Sequence, residues 1–253
     1  MNQFPLLASK TVEFSTRGML VSMRALPGRE LRSSPKVAPA TVTRAGAHAD
    51  QRRRILRAVG ELVGERGYGD VTVELIVKRA HVSFKTFYKH YSGKEECLLA
   101  LCERAYDSSE AKIRERLAGE PLSWPEQVVL VLTGLFELIA ADPVAARAVI
   151  VESPTASAPL RERYEQATRA LVPLFRAGRE FNPRGEELPE TIEETLAGSV
   201  FWSAYQRLIV GEAEQLPASL PVLLELVLRT YLPQEEASRI ARAEAPERQL
   251  AAA

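Results

Sequence analysis

The chain has 253 residues, of which 46% are hydrophobic and 26% charged, enough for one large helical domain or a small domain joined to a larger one. The net charge is zero, yet residues 1–105 hold 18 Lys+Arg against 10 Asp+Glu and the remainder 15 against 23. That asymmetry excludes an evenly charged surface and points to a front half that meets a polyanion and a back half that does not.

Residues 1–48 show no sustained period and hold Pro, Ser, Gly and Thr loosely arrayed, with seven Lys+Arg against two Glu. Such a segment buries too little apolar surface to offset its ordering entropy, which predicts a flexible basic extension. Met19 and Met23 are alternative starts for the chain. No signal-peptide pattern opens it, so a cytoplasmic location is expected.

From Asp50 the pattern changes. Ile55, Leu56, Val59, Leu62 and Val63 recur at helical spacing, and "ERGYGD" supplies two glycines as a stop signal. Thr72 offers an N-cap for a short helix carrying Leu75, Ile76 and Ala80. A tight turn at His81-Val82 follows, and Ser83 caps a third short helix. A long fourth helix begins at "SGKEECLLALCERAYDSSEAKIRERLA", with Ser92 as cap and Glu95 as capping-box acid. Cys97 and Cys102 fall on different faces of it, so neither a local disulfide nor a metal pair is favoured, and both are expected to pack as reduced thiols.

Beyond residue 120 helices are expected near 123–141, 143–152, 158–181, 189–211, 217–232 and 234–244, with a disordered tail at 246–253. No stretch alternates with period two, which predicts an all-α protein. The run "VVLVLTGLFELIAA" (128–141) is short of the ~20 residues that span a bilayer and carries Glu137, so it is expected to be a buried helix and not a membrane anchor. The 217–232 segment is apolar almost all round and must be covered by its own domain or by a partner.

The segment "HVSFKTFYKHY" (81–91) concentrates four rings, two lysines and two histidines in a chain that is only 7% aromatic. On a helical wheel Phe84, Phe87, Tyr88 and Tyr91 share an arc of about 100°, opposite Lys85, Thr86, Lys89 and His90. The rings read as the core side of a short amphipathic helix. The outer face has cations and no acid, whereas a solvated face usually mixes both signs; phosphates would select that bias. Two short helices joined by a tight turn, the second one basic, form a helix-turn-helix unit.

At this point the chain resembles the TetR/AcrR-type bacterial transcriptional regulators. The resemblance covers about 52–100, and "GYGDVTVELIVKRAHVSFKTFYKHYSGKEE" follows the family's order without a gap. It departs at His81, where the family usually has a turn glycine, at Ile76-Val77 in place of Ile-Ala, and at Lys85 in place of a common glycine. It implies an N-terminal three-helix DNA-binding domain (49–95) and a C-terminal helical ligand-binding and dimerisation domain (96–245). Residue by residue, it implies that Phe84 and Lys85 face base edges, while Thr72, Thr86, Tyr88, His90 and Lys94 touch phosphates, with Lys89 free to join them and Ser83 capping the helix. Arg52 and Arg53, in the basic run at 51–54, are expected to continue the surface as an arm along the minor groove, or as a solvated arm adding non-specific attraction. Phe84 has two readings, core by the wheel and DNA by the resemblance.

For the back half the resemblance implies a small-molecule effector and a homodimer through the helices near 189–211 and 217–232. The pocket candidates are Thr133, Phe136, Glu137, Phe175, Trp202, Tyr205 and Gln206, each of which also reads as plain core or a satisfied polar group. The expected function is a repressor of a palindromic operator on double-stranded DNA, released by ligand; the alternative is a DNA-binding protein of the same fold without a ligand. No metal or cofactor motif is present. A phosphate loop, a nucleophile elbow and a histidine cluster are all missing, which argues against an enzyme.

Overall fold

The computed structural model describes residues 44–119 and 121–243, and every regular element among them is helical. The front half comprises α1 (Arg44–Arg66), α2 (Val73–Ala80), α3 (Phe84–Tyr88) and the long α4 (Lys94–Leu117). The helix α1 begins four residues before the end of the segment expected to be flexible. The rest of that extension and the expected C-terminal tail lie outside the described residues.

Local chemistry explains each boundary in this half. Gly67, at φ 83°, ends α1 in the left-handed region, its N–H donating to Val63 O at 2.9 Å. The Thr72 hydroxyl accepts from Leu75 N at 3.3 Å and starts α2; the Ser83 hydroxyl accepts from Thr86 N at 3.1 Å and starts α3. The start of α4 differs from expectation. Gly93 is its cap residue, and it is Glu96, not Glu95, that accepts both the N–H and the hydroxyl of Ser92, each at 2.6 Å. Glu96 sits four residues on from Ser92, so the reach spans one full turn rather than the three residues of a capping box.

The back half begins with α5 (Trp124–Ala141), which packs on α4 and α11 through buried Val128, Leu132 and Phe136. It is 18 residues long and apolar, but that buried stripe makes it a core helix. Next come α6 (Pro143–Arg147), a single π turn (Ala148–Glu152) and α7 (Ser153–Ala156). The expected helix over 158–181 is broken into α8 (Ala158–Arg169), α9 (Val172–Arg176) and a 3-10 turn (Ala177–Phe181). Pro173 explains the first break, because it has no N–H for the Arg169 carbonyl and its ring crowds that group. The remaining helices, α10 (Ile192–Ile209), α11 (Leu216–Arg229) and α12 (Gln234–Ala243), fall close to their expected places.

Two anchors organise this half. The Trp124 indole donates to Leu174 O at 2.8 Å, stacks on Phe181 and meets Tyr231 edge-on. Arg179 grips the fully buried Glu193 at 2.6 and 3.1 Å, and the Tyr231 hydroxyl donates to the same carboxylate at 3.3 Å. The Arg179 hydrogen bonds hold the Glu193 carboxyl below the usual range against the opposing effect of burial. Cys97 and Cys102 are free and buried, their thiols pushed up to about 12 and about 11 by burial. The two halves touch closely where α6 meets α1: a Cβ on Gly64 would lie 2.2 Å from Val144 O. Only glycine permits that approach.

Candidate nucleic-acid interface

The α2–turn–α3 unit is built around one buried ring. Phe87 is fully buried and Tyr91 nearly so, whereas Phe84 is 48% and Tyr88 56% exposed. The wheel therefore grouped the rings too broadly, because α3 lasts only five residues and its first and last side chains project past the core. Lys85 and Lys89 are exposed beside these two rings, and Thr86 is half-buried under the Ser83 hydroxyl at 3.0 Å. The outcome is a surface of Phe84, Lys85, Tyr88 and Lys89 held rigidly from below by Phe87.

His81 adopts φ 52° and ψ 50°, the left-handed conformation that a turn glycine would supply. Its N–H donates to Lys78 O at 3.3 Å, and Val82 N donates to Val77 O at 3.1 Å, which closes the turn. Arg54 completes it: Nη1 donates to Ala80 O at 3.0 Å and to His81 O at 3.2 Å. Sequence reasoning missed Arg54 as a positioning residue; the signal available was an arginine on α1 four residues after Asp50, with which its Nε pairs at 3.1 Å. Arg79 was missed too. It braces α2 on α1 through Glu61 at 3.2 Å and Glu65 at 2.9 Å.

Several expected contact residues stand elsewhere. The Lys94 ammonium, expected at a phosphate, donates to Tyr68 O and Val71 O, each at 2.9 Å, and to Gly69 O at 3.4 Å. It also lies 4.3 Å above the Tyr68 ring centre, so all three hydrogens serve the α1–α2 turn. Arg52 Nε donates to the Tyr91 hydroxyl at 3.1 Å, and Arg53 pairs with Asp50. His90 packs edge-on against His48 at 5.8 Å between ring centres, and its Nε2 is buried without a partner. Burial, followed by His48, Arg52 and Lys89, holds its imidazole below the ordinary value, which disfavours the cation expected on an open face. Together His48, Arg52, Arg53, His90, Glu103 and Arg104 line an open cleft between α1 and α4. Thr72 is exposed at the tip of α2.

The pocket candidates do not gather in one place. Phe136 and Phe175 are buried core, and Thr133 Oγ1 is buried with no hydrogen-bond partner. Glu137 is exposed and pairs with Arg116 at 2.9 Å. Trp202 is 58% exposed and stacks on half-buried Tyr205 at 5.4 Å, with Gln206 exposed beside them. These three occupy the outer face of α10, in line with exposed Ile209, and α11 exposes Val222 and Leu226.

The comparisons with known proteins agree with this geometry. Residues 55–101 match the family model described as bacterial regulatory proteins, tetR family. The chain is 25% identical over 122 residues to the fatty acid metabolism regulator protein of Bacillus subtilis (strain 168), covering 48% of this chain and 62% of that one. It spans less than two thirds of the length of the curated relatives it matches. Among solved structures, the fatty acid degradation regulator FadR from Bacillus halodurans superposes with a TM-score of 0.60 at 21% identity, over 70% of this chain and 94% of that one. FadR from Bacillus subtilis in complex with stearoyl-CoA superposes with a TM-score of 0.58 at 21% identity, over 70% and 97%. Residues 55–101, which hold the helix-turn-helix built as described, are thus similar to the tetR family of bacterial regulatory proteins, and the helical back half shares the fold of these solved regulators.

Proposed function

We propose that the protein is a cytoplasmic, sequence-specific DNA-binding transcriptional regulator, a homodimeric repressor released from a palindromic operator by a small, largely apolar ligand. The observation that carries this reading is the exposed surface of α3. Two rings and Lys85 project from a five-residue helix, with Lys89 at its C-cap, and the only fully buried side chain of that helix is Phe87. In the major groove Phe84 packs on a thymine methyl and Lys85 reaches a guanine, while Tyr88 and Lys89 meet phosphates on either side. One such helix reads only a few base pairs, so a dimer reading two half-sites supplies the specificity.

Support for the dimer comes from the outer faces of α10 and α11, where Trp202, Ile209, Val222 and Leu226 expose an apolar stripe that water covers poorly. Support for a ligand is the unpartnered Thr133 hydroxyl within the apolar α5, a buried hydrogen-bonding group with nothing in the fold to satisfy it. Ligand binding favours a spacing of the two recognition helices that no longer fits successive major grooves, and operator affinity falls by the coupling factor.

A gel-shift on the DNA upstream of the protein's own gene tests the central claim. Lys85→Ala is expected to relax base preference and weaken binding by about 1–3 kcal/mol, and Tyr88→Phe to weaken all sequences alike. Unchanged binding in both variants rejects the assignment. A thermal-shift screen that includes stearoyl-CoA distinguishes the ligand-released repressor from a ligand-free DNA-binding protein, which would show no stabilisation by any compound.

A further inference from the structure

The turn at 67–71, which leads from α1 into the recognition unit, is held from two sides by groups outside the helix-turn-helix. From one side comes Lys94, whose ammonium binds the carbonyls of Tyr68, Gly69 and Val71. From the other comes Glu152, which belongs to the back half. Its Oε2 accepts the Tyr68 N–H at 3.2 Å and lies where a Cβ on Gly67 would be 3.3 Å away. Its Oε1 accepts from Arg147 Nη2 at 3.1 Å, and Arg147 Nη1 points to Leu208 O, in the last turn of α10, at 3.5 Å. Both side chains are largely shielded, at 17% and 31% exposure.

The π turn explains why Glu152 sits there. Pro154 offers no N–H and its ring crowds the carbonyl of Ile150, so the helix widens by one residue ahead of it. Ser153 N then reaches back to Ala148 O, and the Ser153 hydroxyl donates to Val149 O at 2.6 Å. A regular helix would rotate Glu152 by about 100° per residue of register and carry its carboxylate off the Tyr68 amide. Beside it, Gly64 lets α6 lie directly against α1.

We propose that Glu152 is a positioning residue for DNA recognition, the group through which the back half sets the orientation of the helix-turn-helix. The proposal rests on the regulator reading above. Arg147 ties Glu152 to the end of α10, a helix of the proposed dimer interface, and Glu152 ties α10 in turn to the backbone just before the Thr72 cap of α2. A shift at α10 therefore moves the α1–α2 turn directly, alongside whatever α4 carries through Lys94. In a dimer this bracket fixes the separation of the two recognition helices.

The test uses the full chain. Glu152→Gln keeps the shape but cannot accept from both Tyr68 N–H and Arg147. Amide exchange at the 67–72 turn is expected to rise about fivefold or more, as for the loss of one hydrogen bond in a charged pair. In parallel, duplexes selected by the wild-type protein from a random pool are rebuilt with half-site spacers one base pair longer or shorter. The wild type's preference for its selected spacing is expected to fall about threefold or more in Glu152→Gln, with binding to an isolated half-site unchanged. Arg147→Lys, which retains the ion pair but replaces the two-nitrogen fork with a single ammonium and so weakens the already long reach to Leu208 O, is expected to keep turn protection and lose spacing preference; it decides the matter if Glu152→Gln does not fold. Wild-type turn protection and wild-type spacing preference in these variants overturn the proposal. If the wild type selects no DNA, the regulator reading fails instead, and the exchange measurement on Glu152→Gln still decides whether Glu152 holds the turn.

Discussion

Among the described residues, two surfaces that carry exposed aromatic rings have contrasting neighbours. At the front, Phe84 and Tyr88 stand among Lys85 and Lys89. At the back, Trp202 and Tyr205 stand in line with Ile209, while Val210 and, on α11, Leu226 and the 72%-exposed Val222 extend the apolar surface. A ring beside a cation fits a polyanion, which supplies charge and flat bases together; a ring beside aliphatic side chains fits only another apolar surface. On the proposed reading the same residue type belongs to a DNA face in one half and to a subunit face in the other, and the charge around it tells them apart.

The comparison breaks most sharply at the rings beneath these surfaces. Phe87→Ala removes the single fully buried side chain of α3 and is expected to cost about 3–5 kcal/mol, read as a lower midpoint in urea unfolding. Phe84→Ala, at an exposed ring three residues away, is expected to change stability by less than about 0.5 kcal/mol. If the two losses were equal, Phe84 would be core, and the front surface would lose its ring.

The back surface predicts a smaller effect of a different kind. Trp202→Ala is expected to leave the fold intact and weaken self-association by about 2 kcal/mol, roughly thirtyfold in dissociation constant by sedimentation. A dimer that survives unchanged would mean that the α10 stripe faces something other than a second copy of the chain.

What was legible in the sequence follows the same division. Caps and turns are short-range chemistry, so Thr72, Ser83 and Gly67 could be read directly, and with them the order of the first four helices. Helical periodicity could not sort Phe84 from Phe87, because a five-residue helix has too few turns to average over. Nor could it separate Trp202 from Phe136: an apolar face looks the same whether its own chain or a partner covers it. Long-range polar contacts were the least legible. Nothing local marks Lys94 for the carbonyls of a turn 23 to 26 residues earlier, or Glu152 for an amide 84 residues away. Both look in sequence like solvent-facing charges, and the expectation of Lys94 at a phosphate came from the family resemblance, not from its surroundings in the sequence. The π turn was equally hidden, although Pro154 is its visible cause.

The smallest expected effect lies at His81, where turn chemistry and family pattern disagree. A non-glycine residue at φ 52° carries a strain of about 1 kcal/mol, which glycine would relieve. Glycine also widens the unfolded ensemble, at a cost of roughly 0.5–1 kcal/mol. The net gain from His81→Gly is therefore about 0.5 kcal/mol or less, whereas His81→Ala keeps the strain without the local tolerance of histidine and is expected to lower stability. Arg54 makes the two variants informative, because its bonds go to the Ala80 and His81 carbonyls and survive either change. If thermal melting shows Gly above His above Ala, the turn is strained and Arg54 holds it against that strain. If all three melt together, the guanidinium alone dictates the conformation, and the front half is clamped more tightly by its long-range polar contacts than by the caps that made it readable.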